Sequence, residues 1–109
     1  MANNYKFKGV ALATASETAI LTAASNETII LKSIRVTNNT ANTPTLSIDF
    51  TDSSASNTEY TILKTQSLTA NTSVELLTVP LVIEKSIALK ATASATDSIH
   101  FGISYLNIT

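Results

Sequence analysis

The one histidine of the chain, His100, is the first place to look for chemistry. Asp97 and Ser98 precede it and Ser104 follows, so the residue types of a Ser-His-Asp triad lie within one short stretch. A triad needs the carboxylate on one imidazole nitrogen and the hydroxyl on the other. In an extended strand Ser104 shares the face of His100, whereas Asp97 has the opposite parity. No Gly-rich elbow or oxyanion-hole sequence surrounds either serine. His100 therefore reads as an ordinary strand-face residue, and no residue is assigned a catalytic role.

Carboxylates offer little more. Asp49 and Asp52 form a close acidic pair, but Asp49-Phe50-Thr51-Asp52 lacks the glycine and the dense oxygen donors of a calcium loop. They read as solvated charges at a strand end. Nothing selects a carboxylate pair for glycoside hydrolysis, and there is no tryptophan to floor a sugar site. Cysteine is absent, which excludes disulfides and thiolate metal sites. No metal and no cofactor are expected.

Lys32 and Arg35 are the most interesting charges. They fall on opposite faces of one strand unless a bulge intervenes. Either they are rim charges that reach solvent or a carboxylate, or Arg35 meets an acidic partner across an interface, where arginine is enriched. Tyr5, Phe7, Phe50, Tyr60, Phe101 and Tyr105 are all expected on inward faces of strands. A base-stacking platform would want basic neighbours, which they lack.

The elements that position these residues are strands. Residues 28–38, T-I-I-L-K-S-I-R-V-T-N, form a long β-branched run that must bury at least one face. Ile30, Ile34 and Val36 share one side, and Ile29 and Leu31 share the other. Either the first half is buried on both sides, or a bulge near Lys32-Ser33 shifts the phase. Residues 45–51 alternate cleanly, with Leu46, Ile48 and Phe50 inward. Residues 86–92 and 99–105 alternate likewise, through Ile87, Leu89 and Ala91 and through Ile99, Phe101, Ile103 and Tyr105. Residues 3–12 break their alternation at Gly9, with Tyr5 and Phe7 expected inside and Lys6 and Lys8 outside. Shorter strands are expected at 19–23, 59–64 and 81–84, with another that begins at Val74 and Leu76 and is ended or marked as an edge by Pro80.

About eight or nine short strands separated by turn signals predict an all-β fold, a single β-sandwich of jelly-roll or immunoglobulin-like type spanning residues 1–109. A closed barrel is the alternative. The predicted core is Ile34, Val36, Leu46, Ile48, Phe50, Leu89, Phe101 and Ile103. The apolar side continues almost to the last residue, so the C-terminus is expected to be tied into a sheet.

Charged residues make up only 14% of the 109, and the net charge is −1. Ser, Thr, Asn and Ala take the place of charge, giving a polar surface that repels its neighbours weakly. No basic patch exists to hold a phosphate backbone, so nucleic acid is not an expected partner. No apolar run is long enough to span a membrane as a helix, and Met1–Lys6 lacks the apolar region of a secretory leader. The expectation is a protein folded in a cytoplasm.

Three stretches carry a family resemblance: T-I-I-L-K-S-I-R-V-T-N-N-T at 28–40, L-T-A-N-T-S-V-E-L-L-T-V-P-L-V-I-E-K-S-I-A-L-K-A-T-A-S at 68–94, and H-F-G-I-S-Y-L-N-I at 100–108. Together they resemble small β-rich virion structural proteins of tailed bacteriophages, notably those of marine bacteria and cyanobacteria. The chain departs from that pattern at Ala24-Ser25-Asn26, where Pro and Gly are usual, and at Lys85-Ser86, where Gly-Asp is usual. The resemblance implies a non-enzymatic capsid decoration, or cement, protein on the virion surface, made in the host bacterial cytoplasm. Its partners would be the major capsid protein of the same phage and copies of itself, as in a trimer. A tail, neck or fibre component, or a carbohydrate-binding or adhesin module, is the alternative. Tyr5, Phe7 and Arg35 are the expected interface residues, with residues 1–8 as an extended N-terminal arm.

Overall fold

The computed structural model describes residues 3–109. Its strands pair as the rungs of one long hairpin. β1 (Asn3–Leu12) pairs with β9 (Ile99–Ile108), and β2 (Thr18–Thr22) with β8 (Ile87–Ala93). β3 (Thr28–Asn38) pairs with both β6 (Ser73–Glu75) and β7 (Leu81–Ile83), and β4 (Thr45–Asp52) with β5 (Thr58–Ser67). All these pairs are antiparallel. The hairpin is then wound up, because β9 also pairs with β3 and β8 with β4. The result is a five-stranded sheet in the order β1-β9-β3-β6, with β7 also on β3, and a four-stranded sheet in the order β2-β8-β4-β5. This is jelly-roll order, which decides between the two sandwich types left open by the sequence. No described helix is long and apolar enough to cross a membrane.

The core lies between the sheets. Ile34, Val36, Leu46, Ile48, Leu89, Phe101 and Ile103 are buried as predicted, joined by Leu12, Ile20, Leu31, Ile83 and Ile99 among others. Phe50 is only partly buried and packs against this cluster. Truncating any one fully buried Leu or Ile to Ala should cost about 2–5 kcal/mol.

The central strand resolves its phase by a bulge. Leu31 pairs with Tyr105 and Ser33 with Ser104, which leaves Lys32 as the extra residue. Ile29 and Leu31 before it, and Ile34, Val36 and Asn38 after it, all face the core. Asn38 ends the strand as a buried polar plug. Its Nδ2 donates to the Asn42 carbonyl at 2.8 Å, and its Oδ1 accepts from the Thr40 amide at 3.0 Å. These bonds hold the 38–44 turn without a buried orphan group.

One expectation about the first strand needs correcting. Tyr5 and Phe7 do not face the core; they are 80% and 70% exposed. Register explains this: Phe7 lies opposite Ser104 and Tyr5 opposite Leu106, on the outer side of β9, whose core-facing residues are Ile99, Phe101 and Ile103. Of the extended N-terminal arm expected at residues 1–8, residues 3–8 are extended and each is laddered to β9, while residues 1–2 lie outside the described residues. Tyr60 is also exposed, at 53%. It pairs with Phe50 on edge strand β5, most of which is exposed. Tertiary placement at a sheet edge thus overrides alternation for three of the six aromatics.

Candidate functional site

The outer face of the five-stranded sheet carries the most unusual surface. A row of apolar side chains crosses four strands there: Tyr5 on β1, Leu106 on β9, Ile30 on β3 and Val82 on β7. Each is the direct cross-strand neighbour of the next, so the side chains are close enough to make one patch. Val82 is 49% exposed, and Ile30 and Leu106 are half-buried. Apolar residues across an outer face need a reason, since a core is already complete on the other side.

Phe7 adjoins this row. Its ring lies over the paired glycines Gly9 and Gly102. A Cβ on Gly102 would stand 3.3 Å from Phe7 Cε1, and one on Gly9 would stand 3.5 Å from Cε2. Gly102 therefore lets the ring lie close over the sheet, since a side chain there would push it outward, whereas one on Gly9 would make an ordinary contact. Beyond the ring runs a shallow depression lined by Ser104, Gly102, Ser33, Arg35, Thr37 and His100.

Arg35 stands in this depression, opposite Gly102 on one side and Glu75 on the other. Lys32 and Arg35 are both exposed, and the bulge between them changes their relative phase. Glu75 accepts hydrogen bonds from Ser33 Oγ, the Ile34 amide and the Leu77 amide. Burial pushes its carboxyl up, but these bonds and the Arg35 charge outweigh burial and hold it below its ordinary value. The three residues assigned to an interface from sequence, Tyr5, Phe7 and Arg35, thus lie on one sheet face.

The triad residues are not assembled. His100 lies on the outer face between Ala11 and Thr37. Ser104 is four residues along the same strand, about 13 Å at the usual strand rise, beyond hydrogen-bond reach. The Asp97 carboxylate accepts from Asn42 Nδ2 at 2.9 Å.

Asp49 and Asp52 also part company. Asp52 caps a short 3-10 turn at Ser53–Ala55, accepting from the Ser54 amide at 3.0 Å. Asp49 instead meets Glu17 and Glu59, with carboxylate oxygens within 4.8 Å of one another. That grouping has no sequence signature, because its members come from the lead-in to β2, from β4 and from β5. Lys90, the cross-strand neighbour of Asp49, reaches Glu17 at 3.8 Å and offsets part of the charge. Glu17 and Glu59 are exposed, so a surface charge cluster is all that the geometry requires.

The apolar row was hidden in sequence because its members are far apart in the chain. Of its members only Tyr5 was singled out from the sequence, as an interface residue, and it was expected on the inward face.

Compared with known proteins, the chain matches no family model and no curated protein. Among solved structures it is similar to the CBM22-1–GH10 modules of the N-terminal endo-1,4-β-D-xylanase 10B of Clostridium thermocellum, complexed with xylohexaose. The TM-score is 0.48 and the identity 16%, over 85% of this chain and 19% of that one. This chain thus spans about a fifth of that protein's length, and a likeness of this degree says nothing of what this chain binds.

Proposed function

We propose that this protein is a non-enzymatic structural component of a phage virion, a decoration protein that docks on the capsid through the outer face of its five-stranded sheet. The observation that carries the docking is the apolar row Tyr5-Leu106-Ile30-Val82 with Phe7 beside it. Burying an exposed Phe or Tyr is worth about 1.5–3 kcal/mol, so two such anchors supply a usable share of a binding free energy. The flanking Ser, Thr and Gly add little desolvation cost. The phage assignment comes from the sequence resemblance; jelly rolls serve both capsids and lectins, so the fold does not choose between them. Many copies on a particle multiply a modest contact, and a closed trimer would match a threefold point between capsomers.

A second reading is favoured by one observation, the Phe7 ring lying on the sheet. Such a ring can stack against the C–H face of a sugar, while Arg35, His100 and Ser104 offer hydrogen bonds to hydroxyls. A carbohydrate-binding module would use the same face.

One experiment separates the two. The purified protein and its Tyr5→Ala/Phe7→Ala variant are sedimented with particles stripped of the native protein, and both are titrated with soluble oligosaccharides. The proposal expects binding to particles, loss of that binding by at least about tenfold in the variant, and an unchanged circular dichroism spectrum, since neither ring is in the core. Saccharide binding without particle binding would overturn it in favour of the second reading.

A further inference from the structure

The sandwich leaves one long and regular sheet edge open. β1 is ten residues long and pairs with β9 from Asn3↔Ile108 to Leu12↔Ile99 without a register shift. The other edges are poorer templates. β6 and β7 are three residues each, and β2 has five with a register shift. β5 is broken by two shifts and by a left-handed residue, Thr65 at φ 48°. An unpaired edge presents alternate N–H and C=O groups to any extended chain that fits.

The side chains of β1 say which chain fits. Lys6 and Lys8 lie on the side opposite Tyr5 and Phe7, paired with Tyr105 and Ile103. This is the core-directed side, yet both lysines are exposed, because only Val10 and Leu12 reach cover. Among the described residues neither lysine forms an ion pair; the Glu27 carboxyl is held below its ordinary value chiefly by hydrogen bonds from Asn107 Nδ2 and the Ala24 amide, with the Lys6 charge a smaller contribution. An added strand sets its side chains opposite those of β1, on the same faces. Acidic residues two apart would then meet Lys6 and Lys8, and apolar residues between them would meet Tyr5 and Phe7.

A second copy of β1 does not meet this requirement. Around a twofold axis, the antiparallel registers with greatest overlap set Lys6 against Lys8, or Lys8 against itself. Like charges directly opposite are destabilising. The lysines therefore guard the edge against its own kind while leaving it open to an acidic strand.

We infer that the free edge of β1 takes up an extended segment of the partner protein with acidic side chains at alternate positions and apolar side chains between them. This rests on the docking reading above and names the partner's chemistry.

The test uses two synthetic peptides of about ten residues, the length of a long strand, alternating glutamate with valine and lysine with valine. Backbone hydrogen exchange of the full chain is followed by NMR. The glutamate peptide should slow exchange along β1 and bind about tenfold more tightly than the lysine peptide at low salt, with the difference shrinking as salt rises. Lys6→Glu/Lys8→Glu should reverse the preference, and the milder Lys6→Gln/Lys8→Gln should abolish it. Unchanged exchange along β1, or a preference that survives charge reversal, overturns the inference. Sedimentation with stripped particles runs in parallel. Binding to particles while β1 exchanges freely would sink the strand addition and leave docking intact. Protection by the peptide without particle binding would sink the capsid partner and leave the edge site standing.

Discussion

Replacing Glu75 by Gln probes how the central strand is held where its ladder is interrupted. β6 ends at Glu75 and β7 begins at Leu81, so β3 has no strand partner between them on that side. The Glu75 side chain fills the gap. It accepts from the Ile34 amide at 2.8 Å, from the Leu77 amide at 3.2 Å and from the Ser33 hydroxyl. Hydrogen bonds to a charged group contribute about 1.5–3 kcal/mol each in buried settings. Glu75 is exposed, so solvent screening reduces that value. Glutamine keeps one acceptor oxygen and turns an NH2 group towards a donor. We expect Glu75→Gln to cost about 1–2 kcal/mol at neutral pH. That corresponds to a melting point lower by roughly 4–15 °C in a domain of this size.

The pH dependence has a definite sign. The folded pKa of Glu75 lies below its ordinary value of 4.5. Its contribution is therefore complete above the unfolded pKa and is lost as pH falls through the folded one. Urea unfolding of both proteins, from neutral pH down through the carboxylate range, should show the gap between them closing in acid. A gap that stays constant, or no destabilisation at neutral pH, would refute the claim that the ionised carboxylate bridges the break.

Leu89→Ala should cost more than Phe50→Ala, about 3–5 against about 2 kcal/mol, because Leu89 is fully buried and Phe50 only partly; the reverse order in urea unfolding would mean that the four-stranded sheet packs differently. Ser86 adopts φ 72°, in the left-handed region. Ser86→Gly should therefore be more stable than Ser86→Ala by about 1 kcal/mol, and equal melting points would refute that backbone conformation.

Much of the fold was legible from local pattern. Residues 28–38 form one strand with the limits read from sequence, and the alternation of 45–51 and 99–105 correctly named Leu46, Ile48, Ile99, Phe101 and Ile103 as buried, whereas Phe50 and Tyr105 are only partly covered. Alternation works there because β3, β4, β8 and β9 are covered on one face by the opposite sheet, so hydropathy and burial report the same thing. The phase of β3 was open until pairing with β9 placed the bulge at Lys32, since a bulge is a property of two strands and not of one.

Tertiary structure alone decided the rest. Jelly-roll order depends on pairs such as Asn3 with Ile108, whose separation no local periodicity encodes. The side of β1 that faces out was misread because Tyr5 and Phe7 are the more apolar face, while the strand lies at an edge that the second sheet barely covers. The candidate site has the same origin. Tyr5, Leu106, Ile30 and Val82 become neighbours only when three strand pairings bring them into one row. Alternation tells which residues share a face of one strand; which faces meet is set by long-range pairing, and that information is not local to any stretch of the chain.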